Sequence, residues 1–244
     1  MKRIKVTVWN EFYHEQIEEN VRNVYPEGIH KCIADFLGEE TDFEIKTATL
    51  DMPEHGLTEE VLNDTDVLIW WGHVRHEYVS DEIVERVYKR VQEGMGMIFL
   101  HSAHASKLFK KLLGTDTTEL KWGTEMKEII WLVDRGHPIA EDLDDEKIIL
   151  EKEEIYGEPF SVPTPDETVF ISWFECGAVF RSGLCYKRGK GKIFYFQPGH
   201  ETVPTYYNKS IQKVIKNAVR YVKPVNTPPL TQGQYMREDF VIKY

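Results

Sequence analysis

Cysteine is scarce in this chain and is not arranged for disulfides or zinc fingers. Cys32, Cys176 and Cys185 are an odd three in 244 residues, with no C-x-x-C pair, a pattern that suits a reducing compartment. Cys176 and Cys185 stand in glycine-bearing or apolar surroundings and read as packing thiols rather than nucleophiles. Positive charge is also short. With 30 Lys and Arg against 41 Asp and Glu, the net charge is −11, which argues against nucleic acid and anionic membrane surfaces as partners. No apolar run approaches the roughly 20 residues of a membrane span. The opening Met-Lys-Arg-Ile-Lys-Val-Thr-Val-Trp enters an alternating strand pattern with no secretory core, so a cytoplasmic protein is expected. HExxH, P-loop and GxGxxG motifs are absent, and no nucleotide cofactor is expected. Gly94-Met95-Gly96 leads from a helix into a strand, the wrong order for a phosphate cradle. Internal repeats, low-complexity segments and charge blocks are likewise missing.

What is present is 41% hydrophobic content over a length that fits one large α/β domain. The pattern predicts strands at Ile4–Trp9, Phe43–Thr49, Val67–Trp71 and Met97–His101. Between them lie a helical stretch from about Glu15 to Leu37, interrupted at Tyr25-Pro26-Glu27-Gly28, a short helix capped by Thr58 and an amphipathic helix capped by Ser80 and ended by Gly94. A further helix runs from about Ala105 to Leu113. Strand and helix alternate, which implies a parallel sheet with right-handed crossovers. The second half changes character. Strands at Ile129–Val133, Lys147–Leu150, Val169–Phe174, Ala178–Tyr186 and Lys192–Gln197 follow one another without long helices and predict an antiparallel extension. Asn208 caps a last helix that Pro224 stops.

The chemistry-bearing residues follow the strands. Asn10, Glu11 and His14 come after the first, His73, Arg75 and His76 after the third, His101, Ser102 and His104 after the next, and Pro198-Gly199-His200-Glu201 after the last. Open α/β sheets bind ligands at carboxyl ends, so four polar clusters imply one crevice if the strands are neighbours. His73, His101, His104 and His200 can bind zinc or another divalent ion, with Glu11 or Glu154 completing the shell. A set of hydrogen-bonded pocket histidines without metal fits the same residues. Trp9, Trp70, Trp71 and Tyr156 offer faces for a sugar ring, although Trp70 and Trp71 must point to opposite sides of their strand. His137, in Gly136-His137-Pro138, reads as a turn residue.

The segments DTDVLIWWGH (64–73), VQEGMGMIFLHSAHAS (91–106), VDRGHPIAEDL (133–143), EEIYG (153–157) and RGKGKIFYFQPGHE (188–201) resemble the ThuA, or trehalose-utilisation, family from near the start to about residue 223. The resemblance implies a flavodoxin-like three-layer α/β sandwich of the class I glutamine-amidotransferase type, with a mostly parallel central sheet. It also implies a role in the metabolism of trehalose or related disaccharides. The nucleophile-elbow cysteine of glutamine amidotransferases is missing, with Ser102 or Ala103 in its place, so thiolate chemistry is excluded there. Ser102 lacks a G-x-S-x-G setting and reads better as a hydrogen-bonding serine than as a nucleophile.

The resulting assignment gives catalysis to Glu11, His101, Ser102 and Glu154, metal ligation to His73, His104 and His200, and sugar contact to Trp9 and Tyr156. The reaction would be acid/base chemistry on a sugar, as in a keto-sugar isomerase, lyase or hydrolase. The alternative is a non-catalytic sugar-binding or regulatory module. The domain is expected over 1–223, followed by an extended arm, 224–244. Its Tyr235, Met236, Phe240, Ile242 and Tyr244 supply apolar area for a homo-oligomer contact.

Overall fold

The computed structural model describes residues 3–117 and 119–226. The arm expected to mediate oligomerisation lies, from residue 227 onward, outside the described residues. Among the described residues, nine strands form one sheet: β1 (Ile4–Asn10), β2 (Phe43–Thr49), β3 (Val67–Trp71), β4 (Gly96–Leu100), β5 (Lys121–Leu132), β6 (Lys147–Gly157), β7 (Glu167–Phe174), β8 (Val179–Arg188) and β9 (Gly191–Phe196). Their order is β2-β1-β3-β4-β9-β8-β7-β5-β6. The first five are parallel neighbours, and the rest pair antiparallel. The sheet is therefore an α/β sheet divided between a parallel half and an antiparallel wing, less dominated by parallel pairing than expected.

Helices cover both faces of the parallel half. They are α1 (His14–Ile17), α2 (Glu19–Val24), α3 (Ile29–Gly38), α4 (Glu59–Asn63), α5 (Asp81–Glu93), α6 (Lys107–Leu113) and α7 (Lys209–Val222). Ile33 and Leu37 of α3 and Val214 and Val219 of α7 pack with Val6, Val8, Ile69 and Ile98 on one face. Val84 and Val87 of α5 and Leu108 and Leu112 of α6 pack with Leu68, Trp70, Met97 and Phe99 on the other. This explains why β3 and β4 are wholly apolar: each residue, whichever way it points, meets a helix. Thr58, Ser80 and Asn208 cap their helices as the sequence predicts.

Three elements differ from expectation. The single interrupted helix of residues 15–37 is three helices, broken before Glu19 and at Pro26 to Gly28, where Gly28 takes φ +92°. Strands β5 and β6 are longer than their apolar patches. Register shifts around Met126 and charged residues such as Lys127, Glu151 and Lys152 obscure the alternation. Cys176, expected to be a packing residue, is exposed, whereas Cys185 is buried. Among the described residues, no helix is long and apolar enough to cross a membrane.

The wing curls back. β6 is the outermost strand, yet its Glu153 accepts hydrogen bonds from the backbone N–H groups of Gly199 (2.9 Å) and His200 (3.0 Å), just past the end of β9. The Gln197 side-chain amide donates to the Glu154 carbonyl at 3.2 Å. The far edge of the sheet thus closes over the carboxyl ends of its centre.

Candidate active site

Adjacent strands β1, β3, β4 and β9 end together, and the residues beyond them form the site. Glu11 leaves β1 with both carboxylate oxygens turned to the next loop, where they accept the N–H groups of Val74 (3.0 Å) and Arg75 (2.9 Å). Glu11 therefore holds the segment that presents His73. The Trp71 indole N–H donates to the Gly199 carbonyl at 3.0 Å. Gly199 adopts φ +134°, and a Cβ there would fall 2.0 Å from the Tyr206 hydroxyl, so only glycine fits this turn. His101 begins the turn after β4 with φ +53°, a left-handed conformation that costs a non-glycine residue on the order of 1 kcal/mol or more and that surrounding contacts must hold. Its ring lies between Trp71 and Tyr156, with centroids 6.3 and 5.5 Å away and planes within 12° and 24°.

Three imidazoles form a near-equilateral triangle: His73 to His101 5.5 Å, His73 to His200 5.3 Å, and His101 to His200 5.4 Å between centroids. One ligand atom from each of them and one from Glu154 all lie within 4.8 Å of one another. Hydrogen-bond roles say which nitrogens are available. Nδ1 of His101 is 3.1 Å from the Gln197 carbonyl, which only accepts, so Nδ1 carries a proton. Nδ1 of His73 is 2.8 Å from Glu201 Oε1 and donates likewise. In each neutral ring the lone pair is then on Nε2. Nε2 of His101 sits 3.2 Å from Glu154 Oε2. His101 Nε2, Glu154 Oε2 and Glu201 Oε2 are all buried without a hydrogen-bond partner. A lone pair facing a carboxylate needs a proton or a cation between them, and a divalent ion fits this donor set.

Electrostatics divides the histidines into two sets. Burial opposes charge on His101 and His14, yet Glu154 beside the first and Glu201 beside the second raise both above the ordinary imidazole value. Burial lowers His104 to about 3 and His76 to about 4, and it also lowers His200. Glu154 is held below the usual carboxylate range by His101, against its own burial. Glu201 lies well below that range, also against burial, because the His14 and His73 rings both stand beside its carboxylate; their Nδ1 atoms are 3.0 and 2.8 Å from Oε1. The His14, His73 and Glu201 group thus adjoins the triangle through shared His73.

A separate trio, His137, Glu167 and Cys185, also brings potential ligand atoms together. There the His137 Nδ1 accepts the Ile139 N–H at 3.1 Å, so the proton is on Nε2, 3.2 Å from Glu167. With both nitrogens committed, this trio does not fit a metal, and His137 serves its turn.

Of the residues singled out from sequence, His73, His101, His200 and Glu154 come together, with Tyr156 stacked on His101. Ser102 is adjacent, but its Oγ pairs with the Tyr156 hydroxyl at 2.7 Å and with no histidine. His104 stands outside the group as a correction to its assignment as a ligand. Its Nδ1 donates to the His101 carbonyl at 3.3 Å, and its ring packs edge-on against Tyr156, Phe160 and Tyr195. Glu11 clamps a loop rather than facing the triangle. Trp9 is not a sugar platform: it is buried, stacked on Trp70 at 3.9 Å, and bonded through Nε1 to the His55 carbonyl. Sequence reasoning did not single out Glu153, Gln197 or Thr202 as site residues, and it grouped Glu201 with His200 at a strand end without giving it a role.

The model of the ThuA family, described as trehalose utilisation, matches residues 5–222. No curated protein matches the chain. Among solved structures, a ThuA-like protein from Parabacteroides merdae ATCC 43184 superposes with TM-score 0.68 and 14% identity, covering 93% of this chain and 94% of that one. A ThuA-like protein from Bacteroides uniformis ATCC 8492 gives 0.63 at 14% identity, with 90% and 91% covered. A Salmonella typhimurium LT2 protein described as cytoplasmic gives 0.58 at 12% identity, with 90% and 100% covered. These likenesses concern the fold. With the family model running from β1 to the end of α7, the chain belongs to the ThuA, or trehalose-utilisation, family.

Proposed function

We propose that this protein is an enzyme of carbohydrate metabolism, acting on trehalose, a related disaccharide or a keto-sugar by metal-assisted acid/base chemistry. The observation that supports it is the triangle of His73, His101 and His200 with Glu154 beside it, its buried atoms lacking partners. The three histidines would hold the ion, leaving the open position characteristic of catalytic sites. A bound divalent ion such as zinc would polarise a sugar carbonyl or hydroxyl. Glu154, beside the ion, would take a proton from the substrate. Tyr156 and Trp71 hold the His101 ring, and Glu11 holds the loop bearing His73. Ser102 bonds Tyr156, which favours a positioning role over a nucleophilic one. The strand order β2-β1-β3-β4-β9 follows the 2-1-3-4-5 pattern and supports a flavodoxin-like, glutamine-amidotransferase-type reading of the parallel half.

The test is metal analysis of protein purified without chelator, joined to turnover on a panel of trehalose, other disaccharides and their keto derivatives. Wild type should carry stoichiometric metal. His73→Ala should lose metal and activity together, while Glu154→Gln should keep metal and lose turnover by about 100-fold or more. Metal-free wild-type protein would overturn the metal reading, and metal-loaded protein inert across the panel would favour the sugar-binding module.

A further inference from the structure

His200 differs from its two partners in the triangle. His73 and His101 have Nδ1 tied to groups that only accept, whereas Nδ1 of His200 faces the Thr202 hydroxyl at 2.7 Å. A hydroxyl has one proton. The Thr202 Oγ1 proton goes to Glu125 Oε1, in a short contact. Glu125 comes from β5 in the wing and is held ionised by Lys152 of β6, whose Nζ lies 2.5 Å from Oε2. A carboxylate cannot donate, so Thr202 must, and its oxygen has only lone pairs left for His200. We infer that the relay Lys152–Glu125–Thr202 positions His200 by fixing its proton on Nδ1, so that Nε2 turns its lone pair to the site. The Thr202 backbone N–H also points at Nδ1, at a longer 3.3 Å. If that contact ruled instead, Nδ1 would be the acceptor and Nε2 would carry the proton, closing His200 to a metal. The two arrangements are mutually exclusive, and the shorter contact together with the Glu125 sink selects the first. Thr202, Glu125 and Lys152 are thus positioning residues, two of them supplied by the wing.

The metal readout of this inference rests on the function proposed above, whereas the tautomer readout does not. The experiment is long-range proton–nitrogen correlation NMR of histidine-labelled full-length protein, stripped with EDTA, alongside zinc titration of the same samples. Wild type should show His200 protonated on Nδ1. Thr202→Val should move the proton to Nε2 and weaken zinc binding by roughly 10- to 100-fold, the range typical of outer-sphere partners of a ligating histidine. Thr202→Ser should restore both, and Glu125→Gln should fall between. An Nε2–H tautomer in the wild type overturns the relay, as does a Thr202→Val variant with unchanged tautomer and affinity. If the wild type has the Nδ1–H tautomer, loses it in Thr202→Val and yet binds no zinc, the relay is upheld and the metal reading fails alone.

Discussion

The parallel half and the antiparallel wing contribute different chemistry to one site. The parallel half presents histidines, His73 after β3, His101 after β4 and His200 after β9, on strands packed on both faces by helices. The wing presents acids and their support: Glu125 on β5 and Glu153, Glu154 and Tyr156 on β6. A rigid doubly covered sheet fixes where the imidazoles begin and supplies Glu201 behind His73, but it places no carboxylate beside the His101 Nε2. A curled antiparallel extension can lay carboxylates across the strand ends, at the cost of burying charge. Two fully buried wing carboxyls show that cost: Glu128 and Glu153 are both raised above the ordinary carboxyl value by burial. They differ in compensation. Glu153 accepts from Gly199, His200, the Glu154 N–H and the Thr205 hydroxyl. Both oxygens of Glu128 lack a hydrogen-bond partner.

The largest effect that would sharpen this contrast is expected at Glu153. Glu153→Ala removes the acceptor that binds the wing to the turn carrying His200 and leaves four donors unpaired. The expected loss is about 3–5 kcal/mol of unfolding free energy, as for a broken buried charged network, read by denaturant titration. A loss below about 1 kcal/mol would show that the wing is not anchored there.

At Glu128 the expected effect is on pH dependence. Its folded pKa is raised, so the folded state binds a proton more tightly than the unfolded chain, and this group's stability contribution is present at low pH and lost as pH rises above the ordinary carboxyl value. Between pH 5 and 8, Glu128→Gln should remove up to about 1.4 kcal/mol per pH unit of downward slope, relative to wild type, over the window where the folded group stays protonated. Identical slopes for the two proteins would show that Glu128 finds compensation within the wing after all.

The smallest effect concerns neither region directly. Truncation after Lys223 should leave the site intact while shifting the sedimentation profile toward monomer. An unchanged profile would show that the apolar arm only covers its own subunit.

Much of the parallel half was legible because its signals are local. Val67–Trp71 is continuously apolar and ends at Gly72-His73, and Ser80, Ile83, Val84, Val87, Val91 and Gly94 spell cap, stripe and stop in one helix. The wing was harder. Bulges around Met126 break the alternation of β5, and the neighbours Glu153 and Glu154 are both buried at this irregular point, so no period announced them. The same limit misplaced Trp9 and His104: residue type and position after or within a strand suggested a site, while burial inside an aromatic layer depends on what packs above.

The sequence by itself determined the α/β alternation, the helix caps, the change of character in the second half and the placement of histidines just beyond apolar strands, because each depends on residues a few positions apart. Only the tertiary structure decided that β1, β3, β4 and β9 stand side by side, that the outermost strand returns to put Glu154 3.2 Å from His101, and that Glu201 and Thr202 orient the rings. These depend on strand order, sheet curl and the direction of single hydrogen bonds between residues as many as 128 positions apart in the chain, which no local pattern encodes.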